Sequence, residues 1–250
     1  MHARSPFPAW FRWPLIAPRG LPPYGRITKT LIGVGILAMI AIVPVSAFMM
    51  TEAAGPHDGY ALVRLRTVEA QAEQIEGDYI LLAGDSHTER LLLPALCGLP
   101  TLNAGLSGAT LADMAPFLSA AKIRPPKLTL LIAGTNDANL KRKPDTDAAR
   151  AGFRENLDTL LSILHWKSTR VVVSQVPPLR EPGATGFSPA AVRAFDAIVG
   201  ETCDSGKCRR VVLFPPADGL SPREPLHAPD GIHLNRLADR ILARSDEICG

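Results

Sequence analysis

Apolar strand-like runs alternate regularly with helical patterns after residue 77, and this alternation limits the possible folds more than any other feature. Five runs predict strands, at Tyr79–Ala83, Thr101–Asn103, Leu128–Ala133, Arg170–Val176 and Arg210–Phe214. Most are continuous, as is typical of strands buried on both faces. The patterns between and after them predict helices at Thr88–Leu96, Leu111–Lys122, Ala148–Trp166, Pro189–Thr202 and Asn235–Ile248. The sequence therefore predicts a doubly wound α/β sheet with right-handed crossovers.

Four short polar motifs follow predicted strands or precede predicted helices. They are Gly84-Asp85-Ser86-His87, Asn103-Ala104-Gly105, Gly134-Thr135-Asn136-Asp137 and Asp230-Gly231-Ile232-His233-Leu234-Asn235. Ligands of open α/β sheets bind outside the carboxyl ends of the strands, so we expect these motifs to meet at one edge. They contain a serine, an Asp-x-x-His pair, a glycine N–H and an asparagine amide, which are the parts of a serine esterase.

Each of these residue types has a role in ester chemistry. Ser86 is the candidate nucleophile, although by itself it would also fit the start of a helix capping box. His233 is the candidate base, and Asp230, three residues earlier, is placed to orient its ring. We expect the oxyanion to be held by the Ser86 and Gly105 N–H groups and by the Asn136 side chain. This chemistry requires no cofactor, and we predict no metal site.

These motifs resemble those of the SGNH hydrolases, a branch of the GDSL esterase/lipase superfamily. The resemblance covers roughly residues 78–249 and implies a flavodoxin-like three-layer α/β/α sandwich with a parallel sheet. It implies the nucleophile role for Ser86, the oxyanion roles for Gly105 and Asn136, and the Asp-x-x-His roles at 230–233. One departure is His87, where leucine is common after Gly-Asp-Ser. A Gly-Asp-Ser-His start looks like that of SGNH domains attached to polysaccharide acyltransferases.

Three functions fit this constellation. The first is a serine esterase acting on carboxylic esters, O-acetyl esters in particular, carried by a small molecule or a glycan. The second is an O-acyltransferase that modifies a cell-envelope polysaccharide through the same acyl-serine, with a sugar hydroxyl in place of water. The third is a non-catalytic glycan-binding or envelope-assembly module, for which we would expect a triad residue to be missing.

The first 77 residues predict a membrane anchor. Residues 1–30 form a tail rich in proline, aromatic and basic residues without an acidic one, and residues 31–50 carry no charge. Twenty residues at about 1.5 Å each span a bilayer core of about 30 Å. The basic flank places the tail in the cytoplasm and the catalytic domain outside the cytoplasmic membrane. A buried core helix and a signal peptide cleaved after Val45-Ser46-Ala47 are the alternatives.

A linker and a juxtamembrane helix are expected within residues 51–77, with the helix at 58–76, ahead of the hydrolase domain at 78–250. Leucines, valine, alanine and isoleucine recur there at helical spacing, which indicates a packing helix without chemistry. The net charge of the whole chain is only +3, and much of the basic excess lies in the tail. We therefore predict no nucleic-acid partner.

The four cysteines suggest disulfides in an exported domain. Cys203 and Cys208 bracket a turn-rich segment that could close locally, which would leave Cys97 to pair with Cys249. Metal binding by the x4-spaced pair, and free buried thiols for the other pair, are the alternatives.

Overall fold

The structure is a computed structural model that describes residues 56–181, 184–214 and 226–250. Residues 1–55 lie outside these ranges. The predicted tail at 1–30 and the predicted span at 31–50 therefore lie outside the described residues. Within the described ranges, no helix is long and apolar enough to cross a membrane.

The described strands form a single mixed sheet. They are β1 (Ile80–Gly84), β2 (Ala95–Leu96), β3 (Leu99–Gly105), β4 (Leu128–Ile132), β5 (Val171–Ser174) and β6 (Arg209–Val211). Their order is β2-β3-β1-β4-β5-β6, and every pair is parallel except β2 with β3. The expectation of a purely parallel sheet is thus corrected by the short β2 at one edge. The five parallel strands follow the flavodoxin-like order 2-1-3-4-5, whose winding reverses between β1 and β4.

Helices cover both faces of this sheet. They are α1 (Pro56–Glu73), α2 (Ser86–Glu89), α3 (Leu111–Ala120), α4 (Asp147–Lys167), α5 (Pro189–Thr202), α6 (Leu237–Leu242) and α7 (Ser245–Cys249). Side chains of β1 alternate between two apolar clusters: Leu81 and Ala83 pack with residues of α1, α3, α4 and α5. Ile80 and Leu82 pack on the other face with residues of α6 and α7. Both faces of the strand are buried, which explains its unbroken apolar sequence.

One predicted helix, Thr88–Leu96, is wrong over most of its length. Helix α2 ends at Glu89, and the chain turns to form β2. Asn103 on β3 explains the early end, because its Nδ2 donates to the carbonyl oxygens of Thr88 at 2.7 Å and Leu91 at 3.0 Å. Pro94 has no N–H with which a helix could continue. The predicted helix Asn235–Ile248 is likewise divided into α6 and α7.

All four cysteines lie in disulfides. Cys97 pairs with Cys249 across a sequence separation of 152 residues, and Cys203 pairs with Cys208 across a separation of five. The first disulfide ties the turn before β3 to the C-terminal helix α7. These are the pairs suggested by the sequence, and they leave no free thiol for a metal.

Candidate active site

Ser86 lies at the first turn of α2, directly after β1. Gly84 allows this turn, because a Cβ at that position would lie 2.1 Å from both the Ile132 oxygen and Thr88 Oγ1. The cap of α2 is Asp85, whose Oδ1 accepts from the His87 N–H at 2.9 Å. The capping-box interpretation of Ser86 therefore does not hold. Its hydroxyl instead faces His233 at the carboxyl end of the sheet.

The structure brings Ser86, His233 and Asp230 into one hydrogen-bonded chain. His233 Nε2 lies 3.0 Å from Ser86 Oγ, and His233 Nδ1 lies 2.6 Å from Asp230 Oδ2. A carboxylate accepts, so Nδ1 carries the proton and Nε2 presents a lone pair to the serine hydroxyl. Ser86 and His233 are partly buried, while Asp230 is exposed. This arrangement can remove the hydroxyl proton as the serine attacks a carbonyl carbon.

Asp230 is held as an anion. Its Oδ1 accepts the backbone N–H groups of Ile232 at 2.9 Å and His233 at 3.0 Å. Burial acts to raise the pKa of Asp230, but these bonds and the His233 ring outweigh it and hold the pKa well below its usual range. The carboxylate therefore stays ionised across the pH range in which His233 must be oriented.

Neighbouring segments hold the turn that carries Asp230 and His233. The Arg180 N–H donates to the Gly231 oxygen at 2.8 Å, and its guanidinium donates to the Pro229 oxygen at 2.5 Å. His227 Nε2 lies 2.9 Å from the Pro178 oxygen. The loop after β5 thus fixes the position of the base.

Gly105 does not present its N–H to the site, and the predicted oxyanion role for it is corrected. The Gly105 N–H donates to Asn103 Oδ1 at 2.9 Å. A Cβ at Gly105 would lie 2.2 Å from the Glu89 nitrogen, so glycine is needed there for close packing of α2 on β3. The Asn-x-Gly motif therefore anchors the helix that carries Ser86.

Asn136 and the loop after β3 lie together at the predicted edge. Asn136 follows β4, and its Nδ2 donates one hydrogen to the Ala109 oxygen at 3.1 Å, which leaves the second hydrogen for a ligand. Gly108, next to Ala109, is exposed and has a φ of +78°. Among the residues that the structure describes, the N–H groups of Ser86 and Gly108 have no hydrogen-bond acceptor. Sequence reasoning missed Gly108, although Ser-Gly after a strand is a signal of a special turn.

Comparison with known proteins shows the family to which the chain belongs. Residues 82–241 match the model of the GDSL-like Lipase/Acylhydrolase family. The chain belongs to the GDSL-like lipase/acylhydrolase family. It is a serine hydrolase that acts on ester bonds, which confirms the SGNH resemblance read from its motifs.

Solved structures share the fold of this GDSL-like hydrolase. A lipase/acylhydrolase from Enterococcus faecalis aligns with a TM-score of 0.55 and 20% identity, covering 68% of this chain and 94% of that one. A putative platelet activating factor from Streptococcus pneumonia aligns with a TM-score of 0.58 and 17% identity, covering 82% of this chain and 99% of that one. An acetylxylan esterase from Geobacillus stearothermophilus aligns with a TM-score of 0.52 and 17% identity, covering 70% of this chain and 95% of that one. Such identities establish the fold alone. No curated protein matches the sequence.

Helix α1 precedes the family match and nevertheless contacts β3 and α2, the elements on which the site of the GDSL-like hydrolase is built. Arg64 Nε donates to the Gly105 oxygen at 2.8 Å, and its Nη2 donates to the Asn103 oxygen at 2.7 Å. Tyr60 Oη donates to Glu89 on α2. The prediction of a helix without chemistry missed these contacts. Arg64 could have indicated these contacts from the sequence. It lies four residues before the buried Val68, so a charged residue falls on the apolar face of the helix.

A pair of acidic residues lies beneath the hydrolase's site. Asp85 is fully buried, and its Oδ2 has no hydrogen-bond partner among the described residues. Asp137 Oδ2 accepts from the Leu111 N–H at 3.2 Å, at the start of α3. Burial raises the pKa of Asp137 to about 7, and the charge of Asp85 adds to the rise. Asp137 therefore exchanges its proton near neutral pH, well above the usual range of an aspartate.

A groove of about 380 Å³ opens beside the loop that follows β3 in this hydrolase. Residues of α1 and α3 form its walls, and Ser107 and Gly108 lie along its edge. Most lining side chains are apolar, with Asp113 and Arg142 as the charged exceptions. A ligand in this groove would lie against the segment that presents the Gly108 N–H.

Proposed function

We propose that this protein is a membrane-anchored, extracytoplasmic serine esterase that hydrolyses O-acyl esters, acetyl esters in particular, through an acyl-serine on Ser86. The observation that carries the proposal is the pair of contacts made by His233, 3.0 Å to Ser86 Oγ and 2.6 Å to Asp230 Oδ2. The spacing lies within the range for a nucleophile, its base and the group that orients the base.

The chemistry follows from these contacts. Ser86 Oγ attacks the ester carbonyl carbon while His233 Nε2 takes the hydroxyl proton. The tetrahedral intermediate collapses, the ester C–O bond breaks, and His233 returns the proton to the departing alkoxide. Water then attacks the acyl-serine, gives its proton to His233, and releases the carboxylic acid as Ser86 regains its hydrogen.

The oxyanion in both tetrahedral intermediates needs donors that are in place before reaction. We assign the Ser86 N–H, the second Asn136 Nδ2 hydrogen and the Gly108 N–H to this role. The 3.1 Å contact of Asn136 with Ala109 supports the choice of Gly108, because it places the amide against that loop. Loss of one such donor costs about 100- to 1000-fold in rate.

Acetyl esters of small alcohols or glycans are the substrates that we propose. The acetylxylan esterase that shares the fold supports acetyl chemistry, and the groove beside Gly108 supplies room for the larger alcohol portion. No cofactor takes part in this mechanism.

The proposed location rests on two features. The uncharged run at 31–50 follows a basic tail, a pattern that anchors a chain with its C-terminal part outside the cytoplasm. Both disulfides, Cys97–Cys249 and Cys203–Cys208, fit an oxidising compartment.

The test uses the full-length protein with p-nitrophenyl acetate, butyrate and octanoate. We expect the acetate to be hydrolysed fastest and Ser86→Ala to abolish turnover. Ser162→Ala is the matched control, because Ser162 is an exposed serine on α4 whose hydroxyl donates to the Asp158 oxygen in the same helix. Equal rates for wild type and Ser86→Ala would contradict the proposal. Ser86-dependent transfer of acetyl to added oligosaccharide, without hydrolysis, would instead establish the acyltransferase.

A further inference from the structure

His87 is the departure from the family pattern, and the structure gives this side chain two specific contacts. It is the second residue of α2, directly after Ser86, and its side chain is 1% exposed. Leucine is common at this position in the SGNH hydrolases that the motifs resemble, and a leucine side chain could make no polar contact here. A buried histidine costs free energy unless both of its ring nitrogens find partners.

Both ring nitrogens of His87 face hydrogen-bond acceptors. Nδ1 lies 2.9 Å from Asp85 Oδ1, and Nε2 lies 3.0 Å from the backbone oxygen of Ile232. A backbone carbonyl can only accept, so Nε2 must carry a proton. Asp85 Oδ1 also accepts the backbone N–H of His87 at 2.9 Å, the contact of a carboxylate at a helix N-cap.

A neutral ring cannot make both contacts with an ionised Asp85. With the single proton on Nε2, the Nδ1 lone pair faces the Asp85 carboxylate. With the proton on Nδ1, the Nε2 lone pair faces the Ile232 oxygen. In either neutral tautomer, a nitrogen lone pair faces the lone pair of a buried acceptor. The doubly protonated ring instead donates a hydrogen bond to each of the two acceptors.

We propose that His87 is held as an imidazolium that positions the catalytic turn, by donating from Nε2 to the carbonyl of the residue next to His233. This role rests on the proposed esterase mechanism. It joins α2, which carries the nucleophile, to the turn that carries the base, across 145 residues of sequence. His87 does not touch the reacting atoms, so it is a positioning residue.

The charges around His87 support its cationic state. Burial alone would lower the pKa of His87, but the charge and hydrogen bond of Asp85 and the Ile232 carbonyl outweigh it, and the pKa is raised. Arg90, at the end of α2, opposes protonation.

Other titratable groups face His87 from the packed elements. The His233 ring centroid lies 5.5 Å from that of His87. From the same loop His227 also interacts with it by charge, and the pKa of His227 is lowered, mainly by burial. Asp137 interacts with Asp85, the partner of His87. Asp85 is the one anion in direct contact with the ring among the described residues.

Direct measurement of the ring protons is the first test. Full-length wild-type protein labelled with ¹⁵N-histidine is observed at pH 7.5, about one unit above the ordinary histidine pKa near 6.5. We expect two ring N–H signals for His87, assigned by their loss in His87→Gln. A single ring N–H signal at this pH would overturn the imidazolium assignment, and the result does not depend on any activity.

Steady-state kinetics test the positioning role. His87→Gln can donate to only one of the two acceptors, so we expect kcat on p-nitrophenyl acetate to fall about 10- to 100-fold with KM within about twofold, since misplacement of the base affects the chemical step. His165→Gln is the matched control, because His165 also bonds a backbone carbonyl, that of Lys207, but lies on α4 away from the site.

The two proposals fail separately. Normal kcat in a folded His87→Gln variant, with wild type active and Ser86→Ala inactive, would overturn the positioning role and leave the esterase standing. Turnover that survives Ser86→Ala would overturn the esterase and the positioning role together, and the ring protons would still decide the charge of His87. If His87→Gln does not fold, His87→Asn gives the same comparison with a shorter donor.

Discussion

The backbone N–H of Ser107 donates to Oε2 of Glu89 over 2.6 Å, which joins the loop after β3 to the helix that carries Ser86. The other oxygen of the Glu89 carboxylate accepts from Tyr60 on α1. Burial opposes ionisation, but these bonds lower the pKa of Glu89, so the carboxylate accepts from both partners. Three segments that are remote in sequence therefore meet at one side chain beside the proposed oxyanion loop.

Replacing Glu89 is expected to slow catalysis more than binding. Glu89→Ala leaves the Ser107 N–H without its acceptor, and we expect kcat to fall about tenfold as the loop shifts. Glu89→Gln should recover most of this rate, since its oxygen accepts from Ser107 while its amide donates to the Tyr60 hydroxyl. The measurement is kcat and KM on p-nitrophenyl acetate, with the exposed Glu73→Ala as control. An unchanged kcat in Glu89→Ala would show that the loop holds its position without this bond.

Gly105 and Gly108 are expected to respond differently to alanine. A Cβ at Gly105 would lie 2.2 Å from the Glu89 backbone, so Gly105→Ala should lower the melting temperature strongly or prevent folding. A Cβ at Gly108 meets no atom within 4 Å, and the positive φ alone costs about 1–2 kcal/mol. Gly108→Ala should therefore fold and lose kcat as its N–H is displaced.

Thermal melts and kinetics on both glycine variants separate these effects. A stable Gly105→Ala protein would refute the packing role assigned to that glycine. A folded Gly108→Ala with wild-type kcat would remove Gly108 from the oxyanion site.

Asp137 is expected to make stability depend on pH. Its pKa of about 7 exceeds the ordinary value of about 4, so the folded state binds more protons than the unfolded state between these values. The contribution of this group to the free energy of unfolding is fully present below pH 4 and is lost as the pH rises through 7. An asparagine side chain does not titrate, so the melting temperature of Asp137→Asn relative to wild type should increase from pH 5 to pH 8.

Melts of both proteins at these two pH values make the measurement. Asp204→Asn serves as the control because Asp204 is exposed on the segment after α5. A relative melting temperature that is flat, or that decreases toward pH 8, would contradict the raised pKa.

The two disulfides are expected to contribute unequally. On the loop-entropy account, closing 152 residues stabilises by about 5 kcal/mol and closing five residues by about 2 kcal/mol. Replacing Cys97 and Cys249 by serine should thus lower stability more than replacing Cys203 and Cys208. Denaturant unfolding of the two double variants compares them, and a larger loss from the short loop would count against the entropic account.

Prediction from local sequence was wrong where a side chain distant in sequence ended a helix. The pattern at Thr88–Leu96 favours a helix, but Asn103 binds the carbonyl oxygens that such a helix would use, and the chain turns after Glu89. The antiparallel β2 then occupies the edge beside β3. Neither event has a signal within the segment itself, apart from Pro94.

By itself the sequence determined the α/β class, the family, and the sheet edge at which the four motifs meet. These properties follow from local patterns: strands buried on both faces are continuous apolar runs, and the motifs follow such strands or precede helices. Tertiary structure alone decided which N–H groups face the site. Gly105 donates to Asn103, Glu89 binds Tyr60 and Ser107, and His87 reaches Ile232. Hydrogen bonds between segments up to 145 residues apart depend on how α1, α2 and the catalytic turn pack, and no local pattern contains that information.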